Sequence, residues 1–439
     1  MFKTLVGAFK NKDIRKKIIY TLLILVVVRV GSLLQIPGVD TNYFSSLLSG
    51  INTGDLSYLS AFTGGSFERM SLFALSITPY ITSSIIMQLL TIAIPKLEEM
   101  QKEGEDGRKK IASITRYVTI GLSLIESIAM AVGFGRSGLI KDSAQLSTLH
   151  YVVCIIVVIA ALTAGSAVLM WLGERITEKG VGNGISIVLL INIISGMPSD
   201  FATLYSTFVA PKTPAKGVLA AVIILAILIV MVVLVCFLQD GERRIPVQYS
   251  QKVSGRRTVG GQSTNIPLKV NTAGVMPIIF ASSLMQFPVI IAQLFGKSYE
   301  WTRYLSSSYW CRVEAPKYSI GLLVYIVLLI IFAYFYTSIT FNPIEVADNL
   351  KKAGGVIPGI TPGKSTSEYL NKILNYIVFI GAVGLLIIAL IPIMCTGFFN
   401  ASVSFGGTSI IIIVGVVLET LKQIESQMCN RYYKGFLSE

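Results

Sequence analysis

Apolar residues along this chain gather into ten runs separated by polar segments. The runs cover roughly 18–36, 71–94, 117–134, 150–172, 184–198, 216–238, 271–295, 319–341, 370–394 and 409–421. Most are long enough to cross a hydrocarbon core of ~30 Å, which takes about 20 helical residues. The runs are continuous rather than alternating. They therefore predict helices, which satisfy their own backbone hydrogen bonds in lipid, and not the strands of a membrane barrel. Ionisable residues inside them are few, notably Arg29, Glu126 and Glu419. The pattern predicts an all-α polytopic membrane protein with ten transmembrane helices.

Composition agrees and charge supplies an orientation. Hydrophobic residues are 53% and charged residues 14% of the chain, against about 25% charged in an ordinary soluble domain. The net charge is +13. Of the 37 Lys and Arg, with Lys216 and Lys372 at the edges of their runs counted with the adjoining loops, 27 fall in the N-terminal tail, the loops after even-numbered runs and the C-terminal tail; nine fall in the loops after odd-numbered runs, and Arg29 lies in the first run. By the positive-inside rule both termini are cytoplasmic, which requires an even number of spans. The N-terminus is basic, but its apolar run is too long for a cleavable signal peptide and no small-residue cleavage site follows. Cys154, Cys236, Cys311, Cys395 and Cys429 form no CxxC or Cys/His spacing, which argues against metal or redox chemistry. The lone His150, at the mouth of the fourth run, reads as an interfacial packing residue.

Five runs precede the polar segment 199–215 and five follow it. Five is odd, so the second half is inverted relative to the first, an arrangement that places a working site between halves. The expected organisation is a first half over 1–198, an outer hinge loop over 199–215 and a second half over 216–439. The fifth and tenth runs are the short ones and both open on glycines, GVGNGISIVLL at 180–190 and FGGTSIIIIVG at 405–415. Short, interrupted spans in matching positions point to the central pathway, while glycines equally permit close helix packing. Ahead of the second full run, DLSYLSAFTGGSFERM at 55–70 is half apolar and too short to cross. It predicts an outer surface helix or a re-entrant half-helix buried in protein.

Two inner loops are large and basic. Residues 95–116 read PKLEEMQKEGEDGRKKIASITR. Residues 239–270 carry Arg243, Arg244, Lys252, Arg256, Arg257 and Lys269 against only Asp240 and Glu242. Such loops set topology and attract anionic lipid, but the second is far longer than a connector needs. Strand-like pieces around a Gly-Arg-Arg turn predict a structured basic finger, suited to RNA or an acidic protein.

At this point the residues resemble the SecY family, the central subunits of bacterial protein-conducting channels. The strings are SITPYITSSIIMQLLT at 76–91, KEGEDGRKKIASITRY at 102–117, WLGERITEKGVGNGIS at 171–186, GRRTVGGQSTNIPLKVNTAGVMPIIFASSL at 255–284, FNPIEVADNLKKAGGVIPGITPG at 341–363 and FGGTS at 405–409. They occur in order from about residue 10 to 425. The resemblance implies a clamshell of two five-helix halves around an hourglass pore in the cell membrane of a bacterium. It places an apolar ring at the waist: Ile81, Ile85, Ile185, Leu189, Ile279 and Ile412, with Leu189 standing where the family usually has Ile. The pairs 81/85 and 185/189 are i,i+4 and share a helix face. A narrow apolar ring holds ions back by dewetting and makes no sequence-specific demand on a passing chain.

The resemblance also implies a plug on the outer side, within about 55–70, using Leu56, Tyr58, Leu59, Phe62, Gly64, Gly65 and Phe67. It implies a lateral gate between the second and third spans on one side and the seventh and eighth on the other, with Gln88 and Asn271 as a hydrogen-bonded polar seam worth on the order of 1 kcal/mol per bond. Cytoplasmic partners would dock on Arg243, Arg244, Lys252, Arg256 and Arg257 of the 239–270 loop and on Lys351, Lys352 and Lys364 of the 342–369 loop. The family's partners are the small membrane subunits SecE and SecG, the ATPase SecA, the ribosome, signal peptides, nascent secretory chains and membrane lipids. No GxxxxGK[ST] is present, so energy comes from a partner.

Two other classes compete. An inverted-repeat secondary transporter for a small solute needs coupling groups in its spans, and the paired carboxylates or His relays are missing. Glu126 alone is deep, and it reads as an acid that hydrogen-bonds between helices. A membrane enzyme lacks a Ser/His/Asp set, an HExxH and an acidic pair. The chain departs from the family in one loop: GITPG at 359–363 stands where GIRPG is usual, so Thr361 replaces an arginine associated with engaging the motor. Threonine cannot make a bidentate contact with a carboxylate. Either the motor that pairs with this chain carries a compensating change, or Lys351, Lys352 and Lys364 supply the charge, or Thr361 merely keeps the turn before Pro362.

Overall fold

The computed structural model describes residues 7, 9–41, 63–135, 140, 147–210, 214–249, 252–254, 257–259, 263–294, 300–306, 309–311, 316–399 and 407–435. Every one of the ten apolar runs carries a helix. In chain order these and the helices between them are α1 (Lys12–Leu33), α2 (Thr78–Ala93), α3 (Pro95–Lys102), α4 (Glu105–Gly135), α5 (Thr148–Lys179), α6 (Gly184–Leu204), α7 (Pro214–Asp240), α8 (Met276–Leu294), α9 (Ile320–Thr340), α10 (Pro343–Lys352), α11 (Lys364–Phe399) and α12 (Gly407–Gly435). Among the described residues, six helices cross a membrane on length and apolarity alone, and seven if the bent pair α2–α3 counts as one span. Of the rest, α1 carries Lys12, Arg15, Lys16, Lys17 and Arg29, α2 has only 16 residues, and the second half of α12 is polar.

Local chemistry sets the boundaries. Asn11 caps α1 by accepting from the Asp13 N–H at 3.3 Å, and Asn183 caps α6 by accepting from the Ile185 N–H at 3.2 Å. Pro95 cannot continue the α2 ladder, and the chain turns through 101° into α3. Within the inner segment 95–116, α3 and the start of α4 are helical rather than loop.

The long helices pack in two groups. Helix α1 lies on α5 and α6, α2 on α4, α4 on α5, and α5 on α6; α8 lies on α9, α9 on α11, and α7 and α11 on α12. The groups meet along two seams, α4 against α8 and α6 against α12. Sixteen buried apolar residues centred on α2, α5, α6, α8 and α12 form the core where these seams converge. Outward faces of α1, α4, α5, α7 and α9 stay apolar and exposed, as lipid-facing surface requires.

Three expected boundaries differ. The fifth span is not short: α6 runs on through a π-helical turn at Tyr205–Val209, giving 26 residues from Gly184 to Val209. The anticipated hinge loop at 199–215 is therefore helical as far as Val209, because SDFATLYSTFV contains no helix breaker after Pro198. In the segment 55–70, residues 64–70 form hydrogen-bonded turns rather than a half-helix. Gly64 and Gly65 both adopt positive φ, +62° and +79°, which no right-handed helix accommodates. Residues 71–77 likewise turn, and helix resumes only at Thr78 with Pro79 in its first turn.

The long basic loop folds into a finger. Strand β1 (Glu242–Tyr249) pairs antiparallel with β4 (Ser263–Lys269) from Glu242↔Lys269 to Gln248↔Ser263, while β2 (Lys252–Ser254) and β3 (Arg257–Val259) form a smaller ladder at the tip. A two-residue strand β5 (Gly355–Val356) adds to the other edge of β1. Alternation gives the sheet one buried face. Ile245, Val247 and Leu268 pack with Leu350 of α10, with Ile357, and with Leu370, Ile373 and Ile377 of α11. Two loops remote in sequence thus share one small core.

Candidate functional site: a funnel with an apolar floor

Between the two helix groups, on the finger side, lies a cavity of about 570 Å³. Its wall is polar near the mouth, with Thr177, Asn183, Gln239, Lys269, Asn271, Thr272, Glu419 and Lys422. Counting inward from the finger side, its lining ends on Leu189 of α6, Ile279 of α8 and Ile412 of α12, and on Ile81 beside Tyr80 of α2, while Tyr336 lines it from α9. The four aliphatic residues are buried and belong to a single cluster. Four separate helices therefore close the floor with branched aliphatic side chains. Ile185 lines the cavity one turn before Leu189, and Ile85 packs against the same cluster without lining the cavity.

The glycines ahead of α6 do a packing job. A Cβ on Gly184 would lie 1.8 Å from the Gly173 carbonyl oxygen, and one on Gly180 2.4 Å from Thr21 Oγ1. Close approach to α5 and α1 swings the start of α6 inward, so that Asn183, Ile185, Ser186 and Leu189 form the wall.

One turn beyond the floor, polar contacts replace apolar ones. Asn192 Nδ2 donates to Ser76 Oγ at 3.1 Å, and Ser195 Oγ donates to the Gly64 carbonyl at 3.4 Å. Gly64 has no room for a side chain: a Cβ would meet Ser195 Oγ at 2.6 Å, the Asn192 carbonyl at 2.7 Å and Arg29 Nη1 at 3.1 Å. Phe67 is buried edge-on against Phe134 of α4 at 6.4 Å, and Met70 is wholly buried in the same cluster. Gly65 keeps open space around its α-carbon. Leu56, Tyr58, Leu59 and Phe62 lie outside the described residues, as does Arg256. Ser195 and Asn192 were not singled out by sequence reasoning; the available signal was two polar residues three apart in an otherwise apolar helix.

Gln88 and Asn271 both line the funnel but do not bond to each other. Gln88 Nε2 reaches Ser84 Oγ on its own helix at 3.5 Å, and its buried Oε1 has no partner; Asn271 Nδ2 donates to the Gly274 carbonyl at 2.9 Å, closing the turn into α8. The anticipated polar seam is thus absent between these two residues, because each amide finds a partner closer along its own chain. What closes that side is the packing of α4 on α8. Glu126, expected to bond between helices, makes no hydrogen bond among the described residues. A hydroxyl ladder on α4 binds the neighbours instead, with Ser83 Oγ 2.8 Å from Thr119 Oγ1 and Thr163 Oγ1 donating to Ser127 Oγ at 3.1 Å.

The docking candidates lie on the finger and beside it. Arg243 and Arg244 are exposed on β1, Arg244 held by Glu242 at 2.6 Å. The backbones of Lys252 and Arg257 sit in β2 and β3. Lys351 and Lys352 are exposed in the last turn of α10, where cations suit the helix dipole. Lys364 is exposed at the start of α11. Thr361 is exposed in the turn between them, and its carbonyl accepts from Thr366 Oγ1 at 2.9 Å.

A many-helix membrane protein with a polar funnel on a basic face, closed by apolar side chains from both helix groups, has the architecture of a channel. A SecY family model matches residues 71–421. The chain is 43% identical over 452 residues to the protein translocase subunit SecY of Streptomyces galbus, covering 100% of both chains. A solved structure described as that of a protein conducting channel superposes with a TM-score of 0.60 at 17% identity, covering 94% of this chain and 92% of that one. Sec61 from a canine ribosome-channel complex gives 0.56 at 17%, with the same coverage. The chain belongs to the SecY family.

Proposed function

We propose that this chain forms the protein-conducting channel of a bacterial plasma membrane. Unfolded secretory polypeptides enter the funnel, pass the floor made by Ile81, Leu189, Ile279 and Ile412 and leave on the opposite side. Ile85 and Ile185 complete the apolar ring. Apolar segments leave sideways into lipid between α2/α4 and α8/α9. The observation that carries this reading is the floor itself: four aliphatic side chains from four helices, packed in one buried cluster at the bottom of a funnel with a polar wall. Such a closure excludes water and ions while empty, and it yields to a chain of any sequence because dispersion contacts carry no register. Small-solute transport is the less favoured reading.

The segment Thr63–Met70 is the fixed base of a plug on the far side of the floor. The finger, α10 and both termini lie in the cytoplasm. There the finger and the α10–α11 turn meet the energy source: the ATPase SecA or the ribosome, as a ribosome-channel complex of the canine relative supports. SecE and SecG are the small membrane partners, and signal peptides and nascent secretory chains are the substrates. The test is reconstitution of the chain with SecE, SecG and SecA in vesicles, asking whether an unfolded secretory precursor becomes protease-protected with ATP. Protection that needs all components supports the reading. A tight vesicle that accumulates no precursor contradicts it.

A further inference from the structure

The funnel is polar, but its charges are not evenly matched. Its titratable lining residues are Tyr80 on α2, Lys269 on β4, Tyr336 on α9, and Glu419 and Lys422 on α12. Lys422 is already paired, with its Nζ 2.7 Å from Asp240 at the end of α7. Lys269 is exposed at the root of the finger, in register with Glu242 of β1, and Arg243 and Arg244 follow on the same strand. Glu419 is the one acid that lines the cavity. It is exposed to the lumen and has no ion-pair partner among the described residues.

Its position along α12 is as informative as its charge. Glu419 stands seven residues after Ile412, so the two share a helix face, about 10 Å apart along the axis. It lies near Tyr336, whose ring packs against Phe280 of α8 at 6.1 Å. The carboxylate therefore sits two turns above the floor on the finger side, facing the α8–α9 wall. An entering secretory segment has an apolar core preceded by a basic flank. When the core reaches the floor and the α8–α9 wall, the flank is left at the height of Glu419. Among the charged residues that line the cavity, Lys422 is paired with Asp240 and Lys269 would repel that flank, so Glu419 is the lining group that can hold it.

We infer that Glu419 is a specificity-determining residue that receives the positively charged N-terminal flank of the entering segment. This inference rests on the channel reading above. The carboxylate attracts a Lys or Arg side chain and orients the segment with its flank toward the finger.

The test compares two precursors with the same apolar core, one with three Lys in the flank and one with three Gln, in vesicles holding the full translocase. With Glu419→Gln, transport of the Lys precursor at limiting concentration should fall about two- to fivefold, the range of one exposed ion pair, with no change for the Gln precursor. With Glu419→Lys, a precursor with a Glu flank should regain the lost rate. Equal losses for the Lys and Gln precursors would overturn the inference and assign Glu419 a structural or partner-binding role. No loss for the Lys precursor would overturn it as well. A parent channel that carries neither precursor would instead overturn the channel reading and this inference with it.

Discussion

The floor of the funnel and the segment just beyond it are closed by different forces. At the floor, Ile81, Leu189, Ile279 and Ile412 meet through side chains alone. Each burial contributes about 1.5–3 kcal/mol, without direction. One turn further, Asn192 donates to Ser76 at 3.1 Å, the Ser195 hydroxyl lies 2.8 Å from the Asn192 carbonyl and 3.4 Å from the Gly64 carbonyl, and Gly64 fits only because it lacks a side chain. Those hydrogen bonds are worth about 0.5–1.5 kcal/mol each and depend on geometry. A non-directional closure can part gradually around a passing chain and re-form. A directional seat holds one arrangement and releases as a unit. The floor is thus suited to sealing around varied polypeptides, and the seat to marking the empty state.

That contrast can be broken at either end. The largest effect is expected at the floor. Ile412→Asn removes one aliphatic side chain and leaves an unpaired amide among apolar neighbours, together about 3–5 kcal/mol against the dry closed state. Resting ion conductance in planar bilayers should rise by about two to three orders of magnitude, and Ile81→Asn should act in the same direction. A resting conductance equal to the parent's in both variants would show that the floor lies elsewhere. Gly64→Val attacks the seat. Its φ of +62° suits no branched residue, and the new side chain would strike Ser195 and the Asn192 carbonyl. Strain of about 1–3 kcal/mol should raise the leak by about five- to hundredfold, and the channel should tolerate weaker signal sequences. If Gly64→Val leaks more than Ile412→Asn, the ranking of the two closures is reversed.

Weaker effects are expected away from the pathway. Arg243→Glu with Arg244→Glu leaves the buried core of the finger intact, since both side chains are exposed and neither belongs to the cluster around Ile245 and Val247. SecA and ribosome binding should fall about tenfold at low salt, with a shallower salt slope than the parent; binding that does not change would leave the finger with a topological role only. The smallest effect is expected at Thr361, whose side chain is exposed and whose carbonyl alone is used locally. Thr361→Arg should raise transport about twofold with a SecA from a species whose channel has the GIRPG loop, and little with the native one. Equal rates for parent and variant with the foreign motor would refute a charge role for this position.

Much of this architecture was legible in the chain. The ten apolar runs located all the lipid-facing helices, because exclusion of charge is a strong constraint in lipid. The basic loop's strand-like alternation gave the β1–β4 finger. Other features were hidden. The Gly64-Gly65 pair signalled a turn, yet its apolar surroundings suggested a half-helix. The extension of α6 through Val209 is polar enough to resemble a loop. Strand β5 is two residues long, and nothing in GV announces that it pairs with Gln248 and Tyr249 over a hundred residues away. The ring positions came from motif resemblance, and only packing brings four of them to one floor. The polar seam failed because amide side chains bond where geometry permits, and sequence spacing does not show that for Gln88 and Asn271.

The central claim is that a polypeptide passes between the four floor residues. The direct measurement places single cysteines at 81, 189, 279 and 412, and as controls at the lipid-exposed positions Leu23 and Leu219. A precursor arrested midway, carrying one cysteine in its translocating stretch, is then oxidised in the membrane. The account predicts disulfides from the precursor to all four floor positions and none to 23 or 219. Cross-links at the lipid-facing positions, with the floor positions silent while transport proceeds, would contradict it.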